Sequence, residues 1–372
     1  MTELRHAAGS LMVVGLESTG LSGLERAWLK LVRPGGVILF RRNIVEAKQT
    51  RELLKDATSL CAPDAFRCVD VEGGTVNRLR DALEPMPSAL IASKASLGQE
   101  HGRLVARGVR AFGFNTTLAP VLDLGLTASV EVMGTRCAGA TVAEVTTFAR
   151  DFLAGLTQYG VAGCGKHFPG LGGGTRDSHR ETPAIERTWY ELWHEDLEPY
   201  RALHAELPMV MVNHAAYPET KSGEEPASVS AFWITTVLRK RLGYDGVIFS
   251  DDLEMGGILK FMPMEEAAVK ALRAGMDTIE VCHSMELILR AYEALVREGE
   301  QSKAFCKLLV ERARRMRTQR RRLFTKGVAP SLSPKQYEAL RTRIVQFNEQ
   351  VMQASTTTEA ASPGERAEVE TA

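Results

Sequence analysis

The sequence predicts an α/β fold, a single (β/α)8 barrel of the TIM type. Three observations predict it: short apolar runs recur along the chain, helical patterns separate them, and polar residues follow the runs. Each run is apolar at consecutive positions and rich in Val, Ile, Leu or Met, which is typical of parallel strands covered on both faces. Eight such runs with helices between them match a barrel of about 250 residues or more. The runs are residues 11–17, 36–40, 66–71, 117–123, 161–168, 208–214, 246–251 and 277–282.

The segments between the runs have helical periodicity. The clearest helix begins at Thr141, which forms a capping-box pattern with Glu144, and is stopped by Gly160. Its predicted buried face carries Val145, Phe148, Ala149, Phe152, Leu153 and Leu156. Two further helices are predicted at residues 267–274 and 285–297, each followed closely by a glycine.

A doubly wound open sheet is the alternative to the barrel. Its dinucleotide turn is missing after the first run, because residues 15–20 lack the GxGxxG spacing. Polar residues at the C-terminal ends of the predicted strands favour the barrel, which gathers those positions at one mouth. These residues are Asp70, Asp123, Lys166, His167, His214 and Asp251.

The composition indicates a globular protein and gives no sign of a nucleic-acid or membrane partner. Forty-six Lys and Arg residues balance 46 Asp and Glu residues. No stretch approaches the roughly 20 apolar residues that a membrane span needs, and the N-terminus does not have the pattern of a secretory signal. The six cysteines form no CxxC pair, so we interpret them as reduced core thiols of a cytoplasmic protein.

One domain is expected over residues 1–326, comprising the barrel and a basic C-terminal helix. The segment 301–326 carries seven arginines, and we interpret it as a helix with a solvated basic face rather than a nucleic-acid site. Residues 327–372 are expected to form a C-terminal extension. We predict that this extension is disordered from about residue 354, because its composition there is polar and rich in small residues.

The densest set of chemically active residues begins at the end of the fifth run. Lys166 and His167 supply a cation and an imidazole, and a glycine-rich loop at residues 170–174 follows them. Asp177 and His179 come next, close enough to share a hydrogen bond if the loop curls. A carboxylate that holds an imidazole in one tautomer makes a proton donor that works near neutral pH. This pattern predicts an active site.

Two more strand ends carry candidate residues. Because neighbours in a strand point to opposite sides, we expect one of Asp251 and Asp252 to face the mouth and the other to cap the next helix. Asp70 could accept hydrogen bonds from sugar hydroxyls and Arg78 could donate them, although a salt-bridged turn also explains this pair. No metal is expected, since an amidohydrolase-type site would need an HxH pair on the first strand.

Seven segments of the chain stand out as motifs. They are GGVILFRRN (35–43), DVEGGTVNRLR (70–80), FNTTLAPVLDL (114–124), MGTR (133–136), KHFPG (166–170), DSHRETP (177–183) and LGYDGVIFSDDLEM (242–255). In this order they resemble glycoside hydrolase family 3, in particular its single-domain bacterial β-N-acetylglucosaminidases, over roughly residues 10–300. The fold of that family is a (β/α)8 barrel, in agreement with the strand count.

The resemblance implies a role for each matching residue. Asp251 matches the catalytic nucleophile, His179 the general acid/base, and Asp177 its dyad partner. His214 matches a histidine of the sixth strand that lines the pocket. The residues that match those holding the terminal sugar are Asp70, Arg78, Arg136, Lys166 and His167.

The chain departs from the family pattern at two positions. Leu171 stands where the family usually has the second histidine of KHFPGHG, and Thr75 stands where an arginine usually follows EGG. We expect an intact catalytic set, with any difference from the family in loop closure, rate and leaving-group specificity.

The resemblance implies a retaining hydrolase that releases terminal β-linked N-acetylglucosamine through a glycosyl-aspartate intermediate and needs no cofactor. Its substrates would be small carbohydrates from peptidoglycan turnover, and a cytoplasmic location would suit recycling. One alternative is a β-N-acetylglucosaminide phosphorylase, because a neutral imidazole repels phosphate less than a carboxylate does. The other is a non-catalytic sugar-binding homologue. A β-glucosidase specificity is disfavoured, because the Asp-Ser-His dyad resembles the acetylglucosaminidase branch.

Overall fold

The computed structural model describes residues 2–174 and 182–361, and eight of its strands close into a parallel barrel. The strands are β1 Met12–Gly15, β2 Gly36–Leu39, β3 Phe66–Val69, β4 Val71–Gly73, β5 Val76–Asn77, β6 Thr116–Thr117, β7 Ala162–Phe168, β8 Met209–Val212, β9 Val247–Asp252 and β10 Thr278–Val281. The short strands β4 and β5 form a separate antiparallel hairpin. The predicted (β/α)8 barrel is confirmed.

Each barrel strand pairs with the next barrel strand along the chain, and β10 closes the barrel against β1, where Met12 lies opposite Ile279. All eight predicted runs supply one barrel strand. The run at 117–123 is the poorest match, because only the two-residue strand β6 forms there. Pro120 follows it and has no N–H to donate to a neighbouring strand.

Helices surround the barrel. They are α1 Thr2–Ser10, α2 Gly23–Val32, α3 Ala47–Ser59, α4 Ala89–Lys94, α5 Gly98–Ala111, α6 Val130–Met133, α7 Val142–Gln158, α8 Trp189–Glu191, α9 Glu198–Leu203, α10 Gly256–Leu259, α11 Met264–Ala274, α12 Met285–Gln301, α13 Lys303–Leu323 and α14 Pro334–Ala361. Two further segments, Leu192–Asp196 and Phe232–Arg241, are π-helical. None of the described helices combines the length and apolar character that crossing a membrane requires.

Helix α7 shows how the sequence sets its own boundaries. The Thr141 hydroxyl accepts a hydrogen bond from the Glu144 amide, and the Glu144 carboxylate accepts one from the Thr141 amide. This is the predicted capping box, which satisfies amides that have no partner inside the helix. At the other end Gly160 has a φ of 68°, a left-handed conformation that stops the helix with little steric cost.

The basic helix α13 has the predicted exposed basic face only in part: Arg314, Arg317, Arg321 and Arg322 are exposed, whereas its other three arginines are not. Arg320 is buried and donates to the backbone carbonyl of Ser10. Arg312 donates to the carbonyl of Leu272, and Arg315 pairs with Asp245. These arginines bind carbonyl and carboxylate oxygens of the barrel, because the long side chain of arginine can reach across the helix interface to acceptors that would otherwise be unpaired.

The C-terminal extension carries the long helix α14. Disorder was predicted from about residue 354, and α14 runs past that point to Ala361. Polar residues that follow an established helix can extend it, because propagation adds one hydrogen bond for each residue fixed.

The six cysteines are free thiols, as expected from the sequence. Five of them are buried, and Cys306 is partly exposed.

Candidate active site

A cavity of about 690 Å³ opens at the C-terminal mouth of the barrel. Residues from the ends of several strands line it, as expected for the catalytic face of this fold. Six of the predicted site residues are among its lining: Asp70, Arg78, Arg136, Lys166, His167 and Asp251. The barrel therefore gathers residues that are up to 181 positions apart in the sequence (251 − 70).

Irregular strand pairing brings neighbouring residues into the same cavity. The register of β7 against β8 shifts between Gly165 and Phe168, and both Lys166 and His167 line the cavity. A regular strand would point these two side chains to opposite sides, whereas a shift of this kind can re-aim a side chain next to a functional site.

Lys166 lies in a buried network with two carboxylates. Its Nζ is 3.0 Å from Asp70 Oδ1 and 2.7 Å from Glu72 Oε1. Burial alone would lower the pKa of Lys166, but the charges of Asp70 and Glu72 outweigh it and hold the pKa above its ordinary value. Lys166 is therefore a fixed ammonium group on the cavity wall.

Glu72 also binds Arg136 through both carboxylate oxygens. Arg136 Nε donates to Oε2 at 2.9 Å, and Nη2 donates to Oε1 at 2.8 Å. Burial would raise the pKa of Glu72, but the charges and hydrogen bonds of Arg136 and Lys166 hold it well below its usual range. One buried, ionised carboxylate thus holds two cations at the cavity.

Asp123 fixes the ring of His167. Its Oδ2 is 2.6 Å from His167 Nδ1 and accepts the His167 backbone N–H at 3.1 Å. On the other side of the ring, Arg136 Nη2 lies 3.3 Å from Nε2. With a proton on Nδ1, the ring donates to the carboxylate, which fixes the orientation of the imidazole.

The same carboxylate holds the base of the glycine-rich loop. Asp123 Oδ1 accepts the Leu171 backbone N–H at 2.7 Å, and the Tyr217 hydroxyl donates to the Gly170 carbonyl at 2.7 Å. Gly170 has a φ of 138°, a conformation that side-chain-bearing residues rarely adopt. Leu171 is buried and lines the cavity, so an apolar group stands here on the cavity wall.

Asp251 and Asp252 both line the cavity, where the register of β9 against β10 shifts. Burial would raise the pKa of Asp251, but His167, His214 and the Asp252 N–H hold it below its usual value. The pKa of Asp252 is raised to about 8, mainly by burial, with the charges of Glu254 and Asp251 adding to it. The two neighbours therefore differ in protonation at neutral pH.

The expectation that one carboxylate faces the mouth and the other caps the next helix is wrong in both parts. Both side chains line the cavity. Asp252 Oδ1 accepts the backbone N–H groups of Glu254 and Cys282, whereas Met255 is the cap residue of α10. Asp252 thus binds the turn before the helix to the end of the neighbouring strand.

His214 was predicted to line the pocket, and its position differs from that prediction. It is fully buried, and the described lining of the cavity does not include it. Its Nδ1 lies 2.7 Å from Ser228 Oγ, and its Nε2 lies 2.9 Å from the Asp252 carbonyl oxygen. In these contacts it supports the end of β9 from behind the cavity wall.

Arg78 reaches the cavity from the hairpin that follows β3. Its backbone N–H donates to the Asp70 carbonyl, and its Nη2 lies 3.7 Å from Asp70 Oδ2. Its guanidinium carbon is 5.7 Å from the centre of the Phe40 ring. Arg78 therefore takes part in a salt-bridged turn and also lines the cavity.

Asp177 and His179, the predicted proton-transfer pair, lie outside the described residues. The chain on either side of them is placed. Leu171 binds Asp123 before the gap, and after it the Thr182 hydroxyl donates to the Gly257 carbonyl at 2.6 Å. Gly257 lies in α10, soon after Asp251, so the described chain resumes at Thr182 close to the strand of the predicted nucleophile.

Sequence matching agrees with this geometry. The family model of the glycosyl hydrolase family 3 N-terminal domain matches residues 4–316. The chain belongs to glycoside hydrolase family 3.

Individual relatives within family 3 match most of the chain. A β-hexosaminidase of Methylococcus capsulatus is 39% identical over 282 residues, which cover 74% of this chain and 83% of the relative. A β-hexosaminidase of Idiomarina loihiensis is 35% identical over 279 residues, covering 73% and 83%. The solved structure of a family 3 β-N-acetylglucosaminidase from Paenibacillus sp. str. FPU-7 superposes with a TM-score of 0.83, at 31% identity, over 93% of this chain and 68% of that chain.

Two carboxyl groups of this family 3 site, those of Glu72 and Glu280, were not predicted, and Asp123 was predicted only as a strand-end residue at the mouth. Glu72 and Asp123 lie in quoted motifs, and they act by holding residues that the sequence did identify. Glu280 stands inside the apolar run of β10, lines the cavity and is only 2% exposed. Its Oε1 has no hydrogen-bond partner in the described part of the chain, and burial raises its pKa well above the ordinary value. The sequence signal for Glu280 was its position as a charged residue inside an apolar run.

Proposed function

We propose that this chain is a retaining glycoside hydrolase that releases terminal β-linked N-acetylglucosamine. Its family and its β-hexosaminidase relatives make it a β-N-acetylhexosaminidase. The retaining mechanism is supported above all by Asp251, a carboxylate on the cavity wall whose pKa is held below its usual range. An ionised carboxylate beside the anomeric carbon is the nucleophile that this mechanism needs.

In the first step, Asp251 attacks the anomeric carbon while the bond to the leaving-group oxygen breaks. Protonated His179 gives its proton to that oxygen, and Asp177 holds the imidazole in the donating tautomer. The product of this step is a glycosyl ester on Asp251. The roles of His179 and Asp177 rest on the Asp-Ser-His motif of the sequence.

In the second step, water attacks the same carbon from the side that the leaving group has vacated. His179, now neutral, takes a proton from this water, and the bond between the sugar and Asp251 breaks. Two inversions at one carbon restore the β configuration of the released N-acetylglucosamine. Neither step uses a cofactor.

The two adjacent carboxyl groups suit different tasks. Asp251 is ionised at neutral pH because nearby histidines and a backbone N–H offset its burial. Asp252, with a pKa of about 8, is mostly protonated and is held by backbone N–H groups. This difference favours Asp251 over Asp252 as the nucleophile.

Binding of the terminal sugar would use groups that are already held in place. Lys166 and Arg136 are paired with Glu72, and Asp123 holds the ring of His167. Groups fixed before the substrate arrives lose little side-chain entropy on binding, and they can orient the sugar for attack. Asp70 and Arg78 add an acceptor and a donor at the same wall.

We further propose that the natural substrates are muropeptide fragments carrying terminal N-acetylglucosamine, and that the enzyme works in cell-wall recycling in the cytoplasm. This part rests on the resemblance to the bacterial β-N-acetylglucosaminidases. The balanced charge of the chain, 46 basic against 46 acidic residues, is compatible with small carbohydrate substrates.

Paired assays on aryl β-N-acetylglucosaminide and aryl β-glucoside test the proposal. The wild-type protein should release the aryl group from the first at least about tenfold faster than from the second. Asp251→Ala should lower the rate by at least about a thousandfold. Equal rates for the wild-type protein and Asp251→Ala would mean that the chain is a non-catalytic homologue or that another residue is the nucleophile. N-acetylglucosamine 1-phosphate among the products in phosphate buffer would identify a phosphorylase.

A further inference from the structure

A second cavity lies on the flank of the barrel, away from the catalytic mouth. Its volume is about 940 Å³, larger than that of the catalytic cavity. Residues of α3, the start of β3 and the connection between α13 and α14 line it, and it shares no lining residue with the catalytic cavity. Arg67, near the start of β3, lines this cavity, whereas Asp70, just past the end of the same strand, lines the catalytic one.

The charged side chains around this second cavity are mostly cationic. Lys48, Arg51, Lys55 and Arg67 line it together with two acidic residues, Glu46 and Glu52. Both acidic side chains are exposed, whereas Arg51 and Arg67 are partly buried. Among the described residues, no carboxylate lies within ion-pair distance of either arginine.

The two arginines differ in how their donors are used. Arg51 Nη1 donates to the carbonyl of Arg110 at 3.2 Å, and Nη2 donates to the carbonyl of Ala329 at 2.5 Å. These bonds hold the guanidinium between the end of α5 and the C-terminal connection. Arg67 Nη1 makes only a long contact, 3.5 Å, to the Gly113 carbonyl. Arg67 Nε is buried and has no partner in the described part of the chain.

This arrangement leaves positive charge without compensation. Burial lowers the pKa of Arg67, and the charge of Arg51 lowers it further. Burial also lowers the pKa of Arg51. Enclosing like charges without a counter-ion costs free energy. A bound anion would offset that cost through its charge, and its oxygens would accept hydrogen bonds from the guanidinium groups at the cavity wall.

The rest of the lining is mostly apolar, with Thr58 and Ser331 as its polar members. Leu54, Ala82, Ala111, Val328 and Leu332 contribute aliphatic surface, and Tyr337 adds an aromatic ring. A cavity of several hundred Å³ with apolar walls and a few convergent polar groups has the composition of a small-molecule site.

We propose that this flank cavity is a second ligand site that binds a small organic anion. A phosphate or carboxylate group would lie at Arg51 and Arg67, and an apolar body would pack against Leu54 and Leu332. The site is independent of the glycosidase chemistry, because it is built from other residues at the other end of β3.

Calorimetric titration with phenyl phosphate tests the proposal on the full-length protein, with benzyl alcohol as the uncharged probe. Wild type should bind phenyl phosphate at least about tenfold more tightly than benzyl alcohol, and this preference should weaken with added salt. Arg67→Gln keeps a similar side-chain length without the charge, and it should weaken phenyl phosphate binding by about tenfold or more. Arg67→Lys restores the charge and should recover part of the affinity.

The catalytic cavity also contains cations, so the variants must separate the two sites. Arg322→Gln, on the exposed face of α13, serves as the matched control and should bind like wild type. Thermal unfolding of each variant reports whether it is folded. If folded Arg67→Gln binds phenyl phosphate as wild type does, or if wild type binds both probes equally or neither, the flank cavity is not an anion site. The arginines then serve only to hold the carbonyls around them.

Discussion

Glu72 holds Arg136 and Lys166 at the same time. Arg136 donates to both of its carboxylate oxygens, at 2.8 and 2.9 Å, and Lys166 Nζ lies 2.7 Å from Oε1. Both cations line the cavity, whereas Glu72 is not part of its described lining. Glu72, which is not part of the described cavity lining, thus fixes two residues that are part of it.

Glu72→Gln should disturb binding and stability together, because it leaves two buried cations without their shared counter-ion. We expect KM to rise about tenfold or more, and the free energy of unfolding to fall by about 3 kcal/mol. Steady-state kinetics and urea unfolding measure the two effects. Asp81→Asn is the control, since Asp81 pairs with Arg41 at the surface and its loss should cost less than about 1 kcal/mol. A Glu72→Gln protein as stable as this control would contradict the account of the network.

Asp123→Asn should act through the imidazole of His167. Oδ2 of the carboxylate binds both the His167 ring and its backbone N–H, and Oδ1 accepts the Leu171 N–H. An amide has only one oxygen, so its NH2 group must face one of these two sets of donors. We expect the proton of the ring to move from Nδ1 to Nε2, where it faces Arg136, and kcat/KM to fall at least about tenfold. The 15N shifts of the His167 ring report the tautomer directly. An unchanged tautomer in the variant would show that another group orients the ring.

Asp252 should make stability fall as the pH rises. Its pKa is raised from 3.8 to about 8 in the folded protein, so between these values the folded state binds a proton that the unfolded state has lost. This contribution is fully present below the unfolded pKa and is lost as the pH rises through about 8. The raised pKa of Glu280 acts in the same direction.

Asp252→Asn removes this titration and keeps an oxygen for the N–H groups of Glu254 and Cys282. Urea unfolding at a series of pH values should therefore show a smaller decline in stability from pH 5 to about pH 8 in the variant. A decline as steep as that of wild type would mean that Asp252 is ionised in the folded protein.

The capping box of α7 offers a prediction remote from the active site. Thr141→Ala should lower the free energy of unfolding by about 1 kcal/mol, because the Glu144 amide loses its partner. The same substitution at Thr157, an exposed position of the same helix whose hydroxyl donates to the Leu153 carbonyl, should change stability by less than about 0.5 kcal/mol. Equal losses at both positions would show that the loss does not come from the cap.

The sequence predicts the barrel well because strands buried on both faces must be apolar at consecutive positions. It predicts the cavity residues for a related reason, because a barrel places the polar residues at the C-terminal ends of its strands around one mouth. Lys166 and Asp251 follow from these rules. These rules do not predict the pairing shift near Lys166 and His167, because the shift depends on the neighbouring strand β8.

Glu72 and Asp123 act through contacts that sequence spacing does not encode. Glu72 meets Arg136 across 64 positions, and Asp123 meets His167 across 44. His214 shows the opposite case, since its strand-end position suggests the cavity, whereas the described lining of the cavity does not include it and its ring contacts Ser228 and the Asp252 carbonyl. The reach of α14 past residue 354 was not predicted, because the polar composition there was taken as a sign of disorder.

Formation of a covalent bond between Asp251 and the sugar is the central step of the proposed mechanism. An N-acetylglucosaminyl fluoride that carries a second fluorine on the ring tests it, because the ring fluorine slows both steps and the fluoride leaving group speeds the first. Intact-mass and peptide mass spectrometry of the treated protein should find one sugar attached, on Asp251 in the peptide containing Ser250-Asp251-Asp252. A sugar attached to Asp252 or to any other residue, or steady turnover of the reagent with an inverted product and no adduct, would contradict this step.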